Sequence, residues 1–251
     1  MSAVDLLVVA GVALLAGGVN SVAGGGSLIL FPTLVALGLG TVEANVTNSV
    51  AQWPGYLGGV VGFRREYRGQ FRRLLLFSLV AVVGGTIGSI LLLVLPSSAF
   101  DVVVPLLVLL ASLLLAVQQV LTRKLGVRPG GDGTHNPWWL YLALLAATIY
   151  GGYFGGALGV ILVAVLGLGL GRLKLANALK SALSAVTATV TLVVFGLFGD
   201  VHWVAVAVAA PAGLVGGFLG ARIATRIPVT PLRAFIVVFG LAVSVYLFLR
   251  I

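Results

Sequence analysis

Apolar residues run through the chain in long, nearly continuous stretches, and polar or charged residues are confined to short segments between them. Stretches of about 18 or more apolar residues are long enough to cross a bilayer as an α-helix. The stretches are continuous rather than alternating, which excludes a transmembrane β-barrel. The pattern therefore predicts an all-α polytopic membrane protein.

Two of the apolar segments are interrupted by glycine. The first contains "AGGVNSVAGGGSLILFPTL" at 16–34, and the second contains "YGGYFGGALG" at 150–159. Glycine and proline weaken a helix by about 1 and 3 kcal/mol. As one helix the segment 4–40 would run roughly 50 Å, against a hydrocarbon core of about 30 Å. We therefore expect a broken re-entrant hairpin here, interrupted at 17–26 near the midplane, with two arms of about a dozen residues each.

The two halves of the chain resemble each other at an offset of about 132 residues, the number that separates Asn45 from Asn177. The same offset aligns Ser49 with Ser181, "VGGTIG" at 83–88 with "VGGFLG" at 215–220, and Pro96 with Pro228. Four matches in the same order indicate an internal duplication, and "GVRPGGDGTHNP" at 126–137 is interpreted as the linker.

Each half is then predicted to contain one broken hairpin followed by three transmembrane helices. Repeat 1 covers 1–125, with the hairpin at 4–40 and spans at 44–63, 74–95 and 102–121; the linker covers 126–137; repeat 2 covers 138–251, with the hairpin at 138–170 and spans at 175–198, 203–224 and 231–249.

The positions of the basic residues favour the hairpins over simple crossings. If every segment crossed once, eight loop cations would lie on one side and five on the other, a poor fit to the positive-inside rule. If each first segment enters and leaves on the same side, all of these basic loops share one face and only Arg250 is left on the other. A hairpin and three spans return the chain to the opposite side, so the two repeats would have inverted topology, an arrangement common in secondary transporters.

The broken helices predict an anion site at the midplane. Irregular backbone at membrane depth lies within protein or lines a wet cavity, and a broken helix presents N–H groups and the positive end of its dipole. Two such ends suit an anion. Nearby residues are the candidate substrate-binding set: Asn20, Ser21, Gly24, Gly25, Gly26, Ser27, Asn48, Ser49, Gln52, Tyr150, Tyr153, Gly155, Gly156, Asn177, Lys180 and Ser181.

Lys180 has two interpretations. It lies some six residues inside its span, where a charged side chain costs roughly 2.5–3.5 kcal/mol unless it pairs or reaches the surface. It either faces the substrate or extends to the inner membrane surface. By contrast, the glycines of "VGGTIG" and "VGGFLG" are interpreted as helix-packing residues.

Composition narrows the remaining function classes. The chain is 60% hydrophobic and 8% charged, and it has no cysteine, two histidines and six acidic residues, none of them deep in an apolar stretch. We therefore expect no metal, no cofactor and no enzymatic activity, and no nucleotide-binding loop occurs. The net charge of +9 is attributed to topology-setting loops rather than to nucleic-acid binding.

The sequence resembles the sulfite exporter TauE/SafE family, also called the toluene sulfonate uptake permeases. The resemblance rests on "NSVAGGGSLILFPTLVALGL" and "ANVTNSVA" in the first half, echoed by "YGGYFGGALGVILVAVLGLGLGRLKLANALKS" in the second. It implies a permease for small sulfur-containing or organic anions such as sulfite, thiosulfate, sulfoacetate or other sulfonates.

The expected protein is thus a secondary transporter that works by alternating access. Its expected partners are a small anionic substrate and the lipid bilayer, without nucleic acid, and the sequence leaves room for a homo-oligomer. We expect a multi-pass protein of the plasma or inner membrane, with its basic loops in the cytoplasm. The alternatives are a passive anion channel of the same architecture, and a membrane-embedded enzyme or assembly subunit.

Overall fold

The computed structural model describes residues 1–22, 25–125, 136–223 and 229–249. The regular structure in these ranges is entirely α-helical and comprises ten helices. Their bounds are α1 Ala3–Val22, α2 Ser27–Ala36, α3 Thr41–Gly62, α4 Phe71–Val94, α5 Ser97–Leu125, α6 Trp138–Tyr153, α7 Leu158–Leu170, α8 Leu173–Phe198, α9 Trp203–Ile223 and α10 Val229–Phe248.

Within the described ranges, five helical segments are long and apolar enough to cross a membrane. They are Ala3–Asn20, Phe71–Val94, Ser97–Val117, Lys174–Phe198 and Trp203–Gly220. The long helix α3 is not among them, although a span was predicted at 44–63, because polar residues interrupt its apolar sequence. Many large apolar side chains on these helices are exposed, as expected for surfaces that face lipid. The all-helical prediction is therefore confirmed, and the chain has the character of a multi-pass membrane protein.

Both predicted interruptions are present. In the first half, α1 ends at Val22 and α2 begins at Ser27. In the second half, α6 ends at Tyr153. Before α7 begins, the backbone adopts left-handed conformations at Gly155 (φ 77°) and Ala157 (φ 57°). A left-handed alanine costs roughly 1–2 kcal/mol, so the surrounding packing must impose this turn.

The first break is shorter than predicted, and its arms are unequal. We predicted that the break begins at Gly17, but α1 continues past this residue to Val22. Helix α1 has 20 residues in total, whereas α2 has only 10. The reason is packing: a Cβ atom at Gly17 would overlap the carbonyl of Gly213 in α9, and one at Gly216 would overlap the carbonyl of Leu14. Gly17 therefore lets two helices approach closely and does not end α1.

Helices α4 and α6 meet in the same way. A Cβ atom at Gly84 would overlap the side chain of Thr148, and one at Gly88 would overlap the carbonyl of Ile149. The interpretation of the 83–88 and 215–220 glycines as packing residues is confirmed for Gly84, Gly88 and Gly216.

The helix pairings have a regular pattern. Helix α1 packs on α9 and α6 on α4, while α3 packs on α9 and α8 on α4. Likewise α2 packs on α3 and α7 on α8, and further contacts join α3 with α8 and α5 with α10. Each of these pairings has a counterpart five helices further along the chain, or is its own counterpart.

Several polar contacts show which segments share an end of the molecule. Lys174 Nζ lies 2.8 Å from a carboxylate oxygen of Glu66, and the Tyr67 hydroxyl donates to the carbonyl of Ala178 at 3.1 Å. Arg73 Nε donates to Asn136 Oδ1 at 2.8 Å. The basic segment 63–73, the chain before α6 and the α7–α8 turn therefore lie together. This grouping disagrees with eight simple crossings, which would place 63–73 and Lys174 at opposite ends.

A second group of contacts joins the starts of other helices. The Thr41 hydroxyl bonds a carboxylate oxygen of Asp101, and the His202 N–H donates to Thr47 Oγ1 at 3.0 Å. The starts of α3, α5 and α9 are thereby held together. The predicted loop positions of Arg128 and Arg226 lie outside the described residues.

Candidate functional site

A cavity of about 410 Å³ lies where the two helix breaks approach each other. Its wall takes residues from α1, α2, α3, α7, α8 and α9, together with Gly155 in the second break. The polar side chains that line it are those of Asn20, Ser27, Gln52, Tyr56, Lys180, Ser181 and Ser184. None of the described lining residues is acidic, so Lys180 determines the charge of the cavity.

Helix α3 connects the two breaks through a stripe of polar side chains. The Gln52 amide donates to Ser27 Oγ and to Asn48 Oδ1, both at 2.7 Å, which holds the first turn of α2. Two helical turns before Gln52, the Asn45 amide donates to the carbonyl of Tyr153, the last residue of α6, at 2.9 Å. These residues recur at spacings of three and four, so they share one helix face.

Lys180 lies against the first turn of α7. A Cβ atom added at Gly159 would lie 3.5 Å from Lys180 Cε and 3.8 Å from Nζ. Within the part of the chain that the structure describes, Lys180 has no carboxylate or hydrogen-bond partner. The first N–H groups of a helix also lack intrahelical partners and carry a partial positive charge. Lys180 and the start of α7 therefore form a positively charged side of the cavity.

The second break is stabilised by its own aromatic residues. The Tyr150 hydroxyl donates to the carbonyl of Gly156 at 2.7 Å, and the ring of Phe154 packs edge-on against those of Phe31 and Tyr150. Tyr153 packs against Phe100. These contacts fix the shape of the turn but direct neither tyrosine into the cavity.

Part of the sequence-predicted set lies at the cavity and part does not. Residues that line it are Asn20, Ser27, Gln52, Gly155, Lys180 and Ser181. Residues outside its wall are Gly25, Gly26, Asn48, Ser49, Tyr150, Tyr153, Gly156 and Asn177. Gly24 lies outside the described residues, and so does the side chain of Ser21. Substrate binding by the set remains a prediction.

Two glycines at the first break, Gly25 and Gly26, were predicted to bind substrate but do not line the cavity. A Cβ atom at Gly25 would lie 3.0 Å from Leu115 and 3.3 Å from Ile236, so Gly25 is packed between α5 and α10. One at Gly26 would overlap the carbonyl of Ala16. Both residues allow close packing around the first break instead of contributing to the cavity wall.

Sequence reasoning missed Tyr56 and Ser184. Both have a recognisable signal: Tyr56 follows Gln52 by four residues, and Ser184 follows Lys180 by four, so each continues a polar helix face. The same face of α8 continues with Thr187 and Thr191. The cavity wall formed by α9, with Gly213 and Gly217, has only a weak sequence signal because those glycines also serve packing.

Comparison with known proteins gives one family. The model of the sulfite exporter TauE/SafE family matches residues 9–247. The chain is 30% identical over 223 residues to the "Probable membrane transporter protein YfcA" of Escherichia coli (strain K12), covering 86% of this chain and 78% of that protein. It is 25% identical over 229 residues to a "Probable membrane transporter protein" of Haemophilus influenzae, covering 88% and 86% respectively. No solved structure gives a significant match.

Proposed function

The chain belongs to the sulfite exporter TauE/SafE family of membrane transporters, and on that premise we propose that it is a secondary transporter of small sulfur-containing or organic anions. The proposed substrates are sulfite, thiosulfate, sulfoacetate or other sulfonates. One observation carries the proposal: the cavity between the breaks contains a lysine without a described anionic partner and no described acidic side chain.

The chemistry of the wall fits an oxyanion. Lys180 supplies a positive charge, and the start of α7 adds the positive end of the helix dipole, although the N–H groups of Leu158, Val160 and Ile161 already donate to carbonyls of the break. The hydroxyl groups of Ser27 and Tyr56 can donate further hydrogen bonds to oxygen atoms, whereas both amide hydrogens of Gln52 are already used within the protein. Apolar and glycine residues form the rest of the wall, which lowers the local dielectric and strengthens these interactions.

We further propose that the two halves are inverted repeats that rock about the cavity. The matched helix pairings support this, because exchanging the two halves reproduces the largest helix contacts. The two groups of end contacts support it as well. One group contains the chain before α6, where the second hairpin begins, and the other contains the start of α3, where the first hairpin has ended. Alternating access would then expose the cavity to one side at a time.

The topology can be tested by cysteine labelling, for which the cysteine-free chain is a ready background. If the basic loops face the cytoplasm, Lys174→Cys should react only with a reagent that crosses the plasma or inner membrane. Glu43→Cys should react with an impermeant maleimide added outside intact cells. Labelling of both positions from the same side would contradict the inverted arrangement.

Transport itself is tested with purified protein in liposomes and radiolabelled sulfite. A carrier should show saturable uptake and counterflow, in which unlabelled sulfite inside the liposome accelerates labelled uptake. Thiosulfate and sulfonates should compete, whereas phosphate of equal concentration serves as the selectivity control. Flux without saturation or counterflow would favour the passive anion channel instead.

A further inference from the structure

A second, much smaller cavity lies beside the large one, next to the break between α6 and α7. Its volume is about 20 Å³, which is enough for one water-sized occupant. Ser27, Gln52 and Ser184 border both cavities, so an occupant of the small cavity would lie beside an anion in the large one.

Two hydroxyl groups at this small cavity have no partner. Ser184 Oγ and Thr187 Oγ1 make no hydrogen bond within the described residues, although each side chain is only 1% exposed. Other buried hydroxyls in these helices behave differently: those of Ser89, Ser112 and Thr148 each donate to the carbonyl four residues earlier. Buried polar groups are rarely left unpaired, because an unmade hydrogen bond is costly. The two unpaired hydroxyls therefore indicate that a polar ligand binds between them.

The other atoms around the cavity are mainly oxygen acceptors. The Ser49 hydroxyl already donates to the carbonyl of Asn45 at 2.8 Å, and that of Thr191 donates to the carbonyl of Ala188 at 2.9 Å. Their hydrogens are thus used, and lone pairs remain. No lysine, arginine or histidine is among the described residues that line the small cavity.

The end of α6 adds backbone carbonyls. The last four carbonyls of a helix lack intrahelical partners and carry partial negative charge. Of these, the Tyr150 carbonyl accepts from the N–H groups of Phe154 and Gly155, and the Tyr153 carbonyl accepts from Asn45. Gly151, in the same last turn, lines the small cavity.

We propose that the small cavity binds a sodium ion that moves together with the transported anion. The inference rests on the proposed transport function and adds its coupling ion. The second break then has two roles: the carbonyl end of α6 and the hydroxyls of α8 hold the cation, while the amide end of α7 and Lys180 face the anion. Because opposite charges lie side by side, each ligand raises the affinity for the other by the same factor.

Sodium binding is tested first without any anion substrate. The melting temperature of the purified protein is measured in sodium, potassium and choline chloride at equal ionic strength. A ligand that binds only the folded form raises this temperature, so the value should be highest in sodium chloride. Equal values in all three salts would overturn the ion site and assign the cavity to a water molecule.

Two serine-to-alanine variants form a matched pair. Ser184→Ala removes an unpaired hydroxyl and is expected to lower the sodium affinity, obtained by titrating the melting temperature, by about tenfold. Ser112→Ala removes a buried hydroxyl that is paired within α5, and it should leave the affinity unchanged. Thr187→Val removes the second unpaired hydroxyl while keeping a side chain of nearly the same shape. Unchanged sodium affinity in both Ser184→Ala and Thr187→Val would overturn the site.

Transport then tests the coupling. An inward sodium gradient should accelerate sulfite uptake into liposomes several-fold over a choline gradient, and Thr187→Val, at a residue that borders only the small cavity, should lose this acceleration. If sulfite uptake is saturable but its rate does not depend on the sodium gradient, the coupling is overturned and the proposed function is left intact. Sodium binding in a protein that moves no sulfite would support the ion site and contradict the proposed substrate.

Discussion

Replacing Lys180 with glutamine is expected to weaken sulfite binding by at least about tenfold, because hydrogen bonds to charged groups contribute about 1.5–3 kcal/mol. Lys180 is the cation of the large cavity in the part of the chain that the structure describes. Glutamine keeps a hydrogen-bond donor of similar reach but removes the charge. The measurement is the concentration of sulfite that half-saturates uptake into liposomes.

Lys174→Gln is the matched control. The Lys174 side chain is 79% exposed and pairs with Glu66 at the end of the molecule. Exposed ion pairs contribute about 0–1 kcal/mol, so this change should alter uptake very little. Equal effects of the two substitutions would contradict a substrate-facing role for Lys180.

Stability gives a second readout for the same residue. A charge within a membrane helix costs roughly 2.5–3.5 kcal/mol when it is not compensated. Lys180→Gln should therefore keep or raise the melting temperature while transport falls. A lower melting temperature together with lost transport would indicate a structural role instead.

Gly159 tests the position of the lysine without changing its charge. Alanine at Gly159 would make only ordinary contacts with the Lys180 side chain, beginning at 3.5 Å, whereas leucine would need the space that this side chain occupies. Gly159→Ala should transport normally, and Gly159→Leu should show the same weak binding as Lys180→Gln. Normal binding in Gly159→Leu would place the ammonium elsewhere.

Gly17→Ala is expected to destabilise the folded protein by about 3 kcal/mol, the upper end of the usual cost of overpacking, because the new methyl group would overlap backbone atoms of α9. The overlap is with the carbonyl of Gly213, which cannot move without displacing the helix. The expected result is little monodisperse protein after purification, or a melting temperature lower by roughly 10 °C.

Gly11→Ala is the control on the same helix. A Cβ atom at Gly11 meets nothing within 4 Å, and alanine favours helix by about 1 kcal/mol over glycine. This variant should be as stable as the parent protein or slightly more stable. If Gly17→Ala and Gly11→Ala behave alike, close contact between α1 and α9 does not determine the fold.

Both helix interruptions were predictable from the sequence, because clustered glycines weaken a helix that is already too long for one bilayer crossing. The start of the first break was misplaced at Gly17, since a single sequence shows a glycine but not the neighbour that requires it. The contact with Gly213 depends on residues almost 200 positions away. Glycines used for turns and glycines used for packing therefore cannot be distinguished from the local pattern.

Part of the polar lining of the large cavity could be predicted from the sequence, whereas substrate binding by these residues stays a prediction. Ser27, Gln52, Lys180 and Ser181 are polar residues in apolar surroundings, and all of them line the cavity. Ser184 was missed because serine in a helix commonly donates to its own backbone and then needs no further partner. Only the packed structure reveals that its hydroxyl does not do so.

The hydrogen bonds of α3 have a consequence for leakage. Gln52 holds the first turn of α2 and Asn45 holds the last turn of α6, so one rigid helix is fastened to both interrupted segments. In the proposed alternating-access cycle, a displacement of one interrupted segment would be transmitted through α3 to the other. This coupling would oppose simultaneous opening of the cavity to both sides, so that ions would not leak while a solute crosses.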